Sequence, residues 1–495
     1  MAKKIIWEPS RTLHEFRLLP GLTTPECVHE QISLKTPLVY TKEGERPFIL
    51  NTPLISAAMQ SVSGERMGIA LAREGGLAFV YCSQAIESQA AMIKTIKNHK
   101  AGFVVPRTVH RGATIHELYQ LSQEHQCSIF PVIDDNGLFL GLITKNDYDR
   151  KKHATMHVTE RMIPREQLEV GIEVTDLKTA NNLLVETHQS VLPIVDKNNR
   201  LLYLVFRKDL RGHLGRPNEV VDSKKRLLSA AAINTHDYKE RVPALVEAGV
   251  DVLALDSSDG FSFYQKETLE WMTSNYPDIP VIGGNIITPE GFNYLVESGA
   301  RGIKVGMGGG SICITQEQKG TGRGLATSVI EVVKARDAYF KKTGKYIPVW
   351  ADGGIGTAKE ITIALALGAD GVMMGRYFAR MDESPTEKVT LNNRVMKPYW
   401  GEGAARAREW KNNRYHQSKF VEGVEGFVEY AGKLKENLDE TLAKIRSSMS
   451  SCGCGTIQEF HEKAELEIVS ALSIREGMVH DVYLPNPENS AYNYN

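Results

Sequence analysis

The sequence predicts an α/β protein, an eight-unit β/α barrel interrupted once by a duplicated insert. Three observations carry that reading. Eight short apolar runs recur along the chain, each ending in small or polar residues. One block in the middle of the chain is present twice. The glycine-rich and polar ends of the apolar runs fall where a barrel collects its functional residues, on the rim at the C-terminal ends of its strands.

In order, the runs are "PLISAAM" (53–59), "GLAFVY" (76–81), "RLLSAAAI" (226–233), "DVLALDSSDG" (251–260), "PVIGGN" (280–285), "GIKVGMGGGS" (302–311), "PVWADGG" (348–354) and "GVMMGR" (371–376). They are continuously apolar rather than alternating, as strands of a parallel sheet covered on both faces are. Most segments between them are helical, for example "HDYKERVPALVEAG" and "KEITIALALGA". Eight such units make a TIM (β/α)8 barrel, which uses about 250 residues as one domain. A doubly wound open sheet is the competing arrangement.

The insert lies between the second and third runs. "SIFPVIDDNGLFLGLITKND" (128–147) aligns without gaps on "SVLPIVDKNNRLLYLVFRKD" (190–209), matching Ser128/Ser190, Pro131/Pro193, Asp134/Asp196, Asn136/Asn198 and Asp147/Asp209. Each copy reads as strand, turn and strand after a helical segment, "IHELYQLSQEH" or "DLKTANNLLVET". Duplicated units of this kind bury a face against each other. The pattern resembles a tandem CBS (Bateman) domain. That resemblance implies ATP or GTP in the cleft between the copies, against a structural pair without ligand. The expected organisation is catalytic barrel at 1–103, CBS pair at 104–217 (about 104–162 and 163–217), and catalytic barrel again at 218–495.

Composition excludes several classes. Hydrophobic content of 42% and charged content of 24% are those of a globular protein. The formal net charge of −1 offers no attraction for nucleic acid or an anionic membrane surface. No run approaches the roughly 18 apolar residues of a membrane span, and "MAKKIIWEPSRT" has no signal-length apolar core. A cytoplasmic location is expected. Six cysteines in a chain this long are not a disulfide framework. "SCGCG" (451–455) has no second Cys or His pair at zinc-like spacing, so it reads as a flexible surface turn.

The rim carries the chemistry. "GGGS" after the sixth run, "DGGI" after the seventh and "GR" after the eighth are glycine loops on neighbouring strands, where backbone N–H groups can approach a phosphate. Asp352 is an acceptor and suits ribose hydroxyls. A nucleoside monophosphate satisfies both. Cys313 follows the first of these loops, beside the place of the base, where a thiolate would be a nucleophile rather than an inert loop thiol.

"GMGGGSICIT" with Cys313, "DSSDG", "GGN", "ADGG", "YWGEG" and "NNRYHQS" resemble the inosine monophosphate (IMP) dehydrogenase family over essentially the whole chain. The resemblance implies NAD-dependent oxidation of IMP to xanthosine monophosphate (XMP), the committed step of guanine nucleotide synthesis. In that chemistry Cys313 adds to C2 of the base, hydride leaves, and a mobile flap, expected within 385–435, hydrolyses the thioimidate. Arg414 and Tyr415 match the family's flap dyad, and Thr315 with Glu422 its second proton route.

The remaining site residues follow by position. Ser311, Asp352, Gly353, Gly354, Gly375 and Arg376 are implied to hold phosphate and ribose. Tyr399, Gly401, Glu402, Gly403 and Glu422 are implied to meet phosphate or base, with Ser56, Met59 and Asn285 lining the pocket. Asp256, Ser257 and Ser258, with Gly306, Met307 and Gly308, are implied to hold NAD. A potassium ion is implied on the carbonyls of Gly308, Gly310 and Cys313, completed by Glu476, Gly477 and Met478 of a neighbouring copy in a homotetramer or octamer. The chain departs from the family pattern at Arg376, at Met478 in place of a glycine, and at Gln60. The sibling guanosine monophosphate (GMP) reductase lacks the Arg-Tyr flap and usually the CBS pair, so Arg414, Tyr415 and the insert argue against it. A non-catalytic nucleotide sensor is opposed by the intact Cys313, Thr315, Arg414 and Tyr415.

Overall fold

The computed structural model describes residues 2–99, 103–104, 106–125, 127–174, 177–207, 218–223, 226–410 and 419–482. Two compact units divide the chain: Met1–Lys97 with Leu228–Asn495, and Asn98–Leu227.

The first unit is a closed parallel barrel. All eight apolar runs become its strands: β1 (Leu54–Ser56), β2 (Leu77–Val80), β3 (Ala230–Ile233), β4 (Val252–Leu255), β5 (Val281–Ile286), β6 (Gly302–Val305), β7 (Val349–Asp352) and β8 (Gly371–Met374). The order is β3-β4-β5-β6-β7-β8-β1-β2, closing on itself. The pairing of Met373 with Ile55 between β8 and β1 rules out the open sheet. Every residue of β2, β3, β4 and β8 is buried, because side chains face either the barrel interior or the helical coat.

That coat consists of α1 (Glu65–Arg73), α2 (Ile86–Asn98), α3 (Tyr238–Ala248), α4 (Phe263–Asn275), α5 (Pro289–Glu297), α6 (Leu325–Thr343), α7 (Ala358–Ala366) and α8 (Leu434–Ser451). Local sequence fixes their ends. Thr288 caps α5 ahead of a first-turn proline, and Thr357 with Glu360 forms a capping box on α7. At the N-terminal end of the barrel, the fully buried Trp350 donates its indole N–H to the carbonyl of Leu38. A Cβ at Gly371 would stand 2.2 Å from that indole ring, so the glycine is what lets the tryptophan lie against β8.

After β8 the chain builds a three-stranded antiparallel sheet from Val389–Leu391, Arg394–Trp400 and Glu425–Glu429. Its last two strands lead to and from residues 401–424, with Trp400 opposite Glu425. The "SCGCG" turn is not a flexible surface turn: Cys452 and Cys454 are buried where α8 ends on the N-terminal segment. Gly453 turns the chain with φ +69°, and a Cβ there would meet the Leu22 carbonyl oxygen at 2.2 Å. No group of three or more His, Cys, Asp or Glu able to hold a metal occurs among the described residues. None of the described helices is long and apolar enough to cross a membrane.

The described residues of the second unit form two four-stranded sheets. One pairs Ile129–Ile133 with Phe139–Thr144, the other Val191–Val195 with Leu201–Phe206, each antiparallel with one register shift. The shift falls at Val132/Ile133 in the first copy and at the aligned Ile194/Val195 in the second, so the sequence repeat is a repeat of register. Asp134 and Asp196 shape the turns alike, each accepting two backbone N–H groups. The copies share a core in which Phe139 and Leu142 pack with Val191, Val195 and Leu204.

Lys397 is buried within the three-stranded sheet and donates to the carbonyls of Met381 and Ser384. Burial lowers its pKa to about 8. The unfolded chain keeps that proton to about pH 10.4, so it binds more protons than the native state between these values. The penalty is therefore complete below about pH 8, and stability rises as pH climbs from there. Relative to Lys397→Met, the wild type should gain on the order of 1–2 kcal/mol between about pH 7.5 and about pH 9.5. Denaturant unfolding of both proteins at the two pH values measures this; parallel curves would refute it.

Candidate active site

The rim loops converge on a cavity of about 510 Å³. Backbone proximity shapes its glycine-lined end. Gly306 has φ +141°, and a Cβ on it would lie 1.9 Å from the Asp352 carbonyl oxygen. Gly354 has φ +70°, with its Cβ position 2.7 Å from the carbonyl oxygen of Gly309. Only glycine allows the loops after β6 and β7 to pass so closely in these conformations. Ser311, Gly353, Gly354, Gly375 and Arg376 line this end together. The Tyr399 hydroxyl closes over Gly375, and burial raises its pKa.

Asp352 projects from the end of β7. Its Oδ2 accepts from Asn285 Nδ2 at 2.8 Å and lies 4.0 Å from Lys304 Nζ. The same Asn285 amide donates to the Gly306 carbonyl at 2.9 Å, tying β5 to the glycine loop. The result is a fixed carboxylate on the floor, able to accept from ribose hydroxyls. Asp256, Ser257 and Ser258 enter the same cavity from the end of β4. The Cys82 thiol lies 3.9 Å from Asp256 Oδ2.

Cys313 lines the same cavity. Its thiol meets Thr315 Oγ1 at 3.2 Å, and the threonine hydroxyl donates to Glu422 Oε2 at 3.1 Å. Because that hydroxyl proton is committed to Glu422, the thiol is the donor to threonine. Lys319 Nζ stands 3.6 Å from the same Glu422 oxygen. A thiol proton thus has a hydrogen-bonded path onto a buried carboxylate.

Most residues expected from the sequence are brought together here: Met59, Asp256 to Ser258, Asn285, Gly306 to Gly308, Gly310, Ser311, Cys313, Asp352 to Gly354, Gly375, Arg376, Tyr399, Gly401 to Gly403 and Glu422 line one cavity. Ser56 is an exception: its hydroxyl is buried against Ser63 at 2.6 Å and does not line the cavity. Glu402 reaches the wall, but its carboxylate accepts from the Gln60 backbone N–H at 2.8 Å and from the Ser83 hydroxyl. Glu476, Gly477 and Met478 end a short helix, Ala471–Glu476, and do not line the cavity within this chain. Gly477 has φ −77° and Met478 is not left-handed, so methionine brings no backbone strain there. Arg414 and Tyr415 lie outside the described residues.

Sequence reasoning missed Lys304, His14 and Glu360. Lys304 left a signal, a lysine inside an otherwise apolar strand, "GIKV". Glu360 was legible as the fourth residue of the capping box after "DGGIG". His14, whose Nε2 lies 2.9 Å from Glu360, arrives from the far N-terminus and left none.

A closed parallel barrel with a thiol and several carboxylates gathered on its glycine-rich rim has the groups of an enzyme acting on nucleotides. The match is more specific than that class. The family model described as IMP dehydrogenase / GMP reductase domain covers residues 10–480, and the chain belongs to this family. It is 50% identical to the inosine-5'-monophosphate dehydrogenase of Tritrichomonas foetus, over 97% of this chain and 98% of that one. It is 37% identical to that of Escherichia coli K12, over 88% of this chain and 89% of the other. Among solved structures it resembles a GMP reductase from Trypanosoma brucei in complex with guanosine 5'-monophosphate. The TM-score is 0.78 at 27% identity, covering 96% of this chain and 98% of that one. Coverage this complete takes in the inserted unit, so the insert does not separate the two activities.

Gly354→Ala forces a left-handed backbone on alanine and drives its Cβ into Gly309. The variant should bind a nucleoside monophosphate at least about tenfold more weakly while its circular dichroism is unchanged. Titration calorimetry gives the affinity, and wild-type binding would show that the glycine loop does not hold the phosphate.

Proposed function

We propose that this chain is an IMP dehydrogenase that oxidises IMP to XMP. The observation that carries the reading is the position of Cys313, hydrogen-bonded toward Glu422, on the wall shared by the glycine cradle and the Asp256 loop. The glycines with Ser311 and Arg376 hold the 5'-phosphate, and Asp352 the ribose. The base is thereby delivered with C2 at Cys313.

The thiol loses its proton through Thr315 toward Glu422 and adds to C2 as thiolate. Bound NAD supplies the hydride acceptor, and Asp256, Ser257 and Ser258 fit it as acceptors and small donors on the cavity wall. Loss of hydride from C2 leaves a thioimidate on Cys313. Water then attacks C2, the C–S bond breaks, and XMP and the thiol are released. Arg414 with Tyr415 activates that water, and Thr315 with Glu422 offers a second path for its proton.

The carbonyls of Gly308, Gly310 and Cys313 are the hard oxygen donors that a potassium ion takes. Glu476, Gly477 and Met478 of a neighbouring copy complete the set, which makes the enzyme a homotetramer or a pair of tetramers. The unit Asn98–Leu227 is a tandem CBS module, its matched registers and shared core supporting that reading, with ATP or GTP between the copies. The enzyme is cytoplasmic, and neither membrane nor nucleic acid takes part.

GMP reductase shares the fold, and the dyad at Arg414 and Tyr415 decides against it. One rapid-mixing experiment tests the assignment. Wild type should form NADH from IMP and NAD. Cys313→Ala should form none while still binding IMP. Arg414→Ala should release a normal first burst, about one NADH per site, and then turn over about 10² to 10⁴ times more slowly. No NADH from the wild type would overturn the assignment, and a lost burst in Arg414→Ala would overturn the division of labour.

A further inference from the structure

Residues 401–403 and 422–424, which flank the segment carrying Arg414 and Tyr415 in the sequence, adjoin the nucleophile. The structure holds them in a stack of backbone ladders. The cysteine loop pairs with residues 422–424: Cys313 bridges Gly423, Ile314 N–H donates to the Glu422 carbonyl, and Val424 N–H donates to the Ile312 carbonyl. Residues 422–424 pair in turn with 401–403, through Glu422 N–H to the Gly403 carbonyl and Gly401 N–H to the Val424 carbonyl. A Cβ on Gly403 would lie 3.0 Å from the Glu422 carbonyl carbon, so these layers touch.

At its outer side the stack is fastened to the barrel. The Glu402 carboxylate accepts from Gln60 N–H and from the Ser83 hydroxyl, at the ends of β1 and β2. Gln60 is itself locked, with Nε2 donating to the Ser83 carbonyl at 2.7 Å and Oε1 accepting from the Trp400 indole at 3.0 Å. Ser61 donates to the Trp400 carbonyl at 3.0 Å. Glu402, Gln60 and Ser83 are all buried. These contacts hold the Glu402 carboxylate against the ends of β1 and β2.

We propose that Glu402, through Ser83 and Gln60, is a positioning residue for Cys313. It anchors the 401–403 turn to the β1–β2 rim, and the two ladders carry that register across 422–424 to the thiol. This rests on the IMP dehydrogenase reading above and adds Ser83, Gln60 and the side-chain role of Glu402 to it.

Ser83→Ala, Glu402→Gln and the double variant test it by rapid mixing with IMP and NAD, by IMP calorimetry and by the thermal unfolding midpoint. Each single change should slow the NADH burst by about tenfold or more, since an ångström of misplacement at a reacting group costs up to about 10²-fold. The IMP dissociation constant should stay within about threefold, and the double variant should be no slower than the worse single, as expected for one coupled path. Alkylation of Cys313 by iodoacetamide without IMP should change alongside the burst.

An unchanged burst rate overturns the proposal. So does a burst of normal rate with IMP bound more than about tenfold more weakly, which would make Glu402 a direct ligand of the base. Additive losses, or losses that follow the unfolded fraction alone, also overturn it. Absence of any NADH burst from the wild type would instead refute the underlying assignment.

Discussion

The rim depends on how closely the loop after β6 passes the loop after β7. At Gly306 no side-chain carbon fits beneath the Asp352 carbonyl, and at Gly354 none fits against Gly309. This contact puts bare backbone where a phosphate can lie, and it aims Asp352 into the cavity from a fixed height. Asn285 reinforces it from β5 by holding both the Gly306 carbonyl and the Asp352 carboxylate. A barrel with side chains at these two glycines would have to part its loops, and cradle and carboxylate would no longer share one ligand.

Around that fixed centre the site divides by strand. The loops after β6, β7 and β8 supply the glycines, Arg376 and Asp352, while the loop after β4 supplies Asp256 and its serines. Cys313 belongs to the first group by sequence and lines the same cavity as the second. Its environment is completed by a segment more than a hundred residues away, which returns to the cysteine loop as an added backbone ladder. The thiol is thus reached by a proton path that no single strand-to-helix loop could have built.

The likeness to a GMP reductase over nearly the whole chain shows what the scaffold leaves open. The fold is common to both proteins, so the fold by itself does not choose between the two activities, and the choice lies in the groups on the rim. The inserted unit, present in both proteins, carries no vote on that choice.

The sequence alone determined eight parallel strands covered on both faces, because their apolar runs are continuous rather than alternating, and it determined the insert, because its repeat is a repeat of pairing register. It also marked Cys313, Asp352 and the glycines, since Asp352 ends a strand, the glycines follow strands, Cys313 lies in the loop after one, and the strand ends define the rim. Closure of the barrel could not be read from it, nor could the direction of side chains at equivalent rim positions. Ser56 and Glu402 fall in the right places yet turn to Ser63 and Ser83, and His14 comes to the site from a segment with no motif. Strand periodicity and glycine conformation are local properties, written residue by residue. Which polar groups satisfy each other inside a closed rim is a property of distances between segments, and only the tertiary structure sets those.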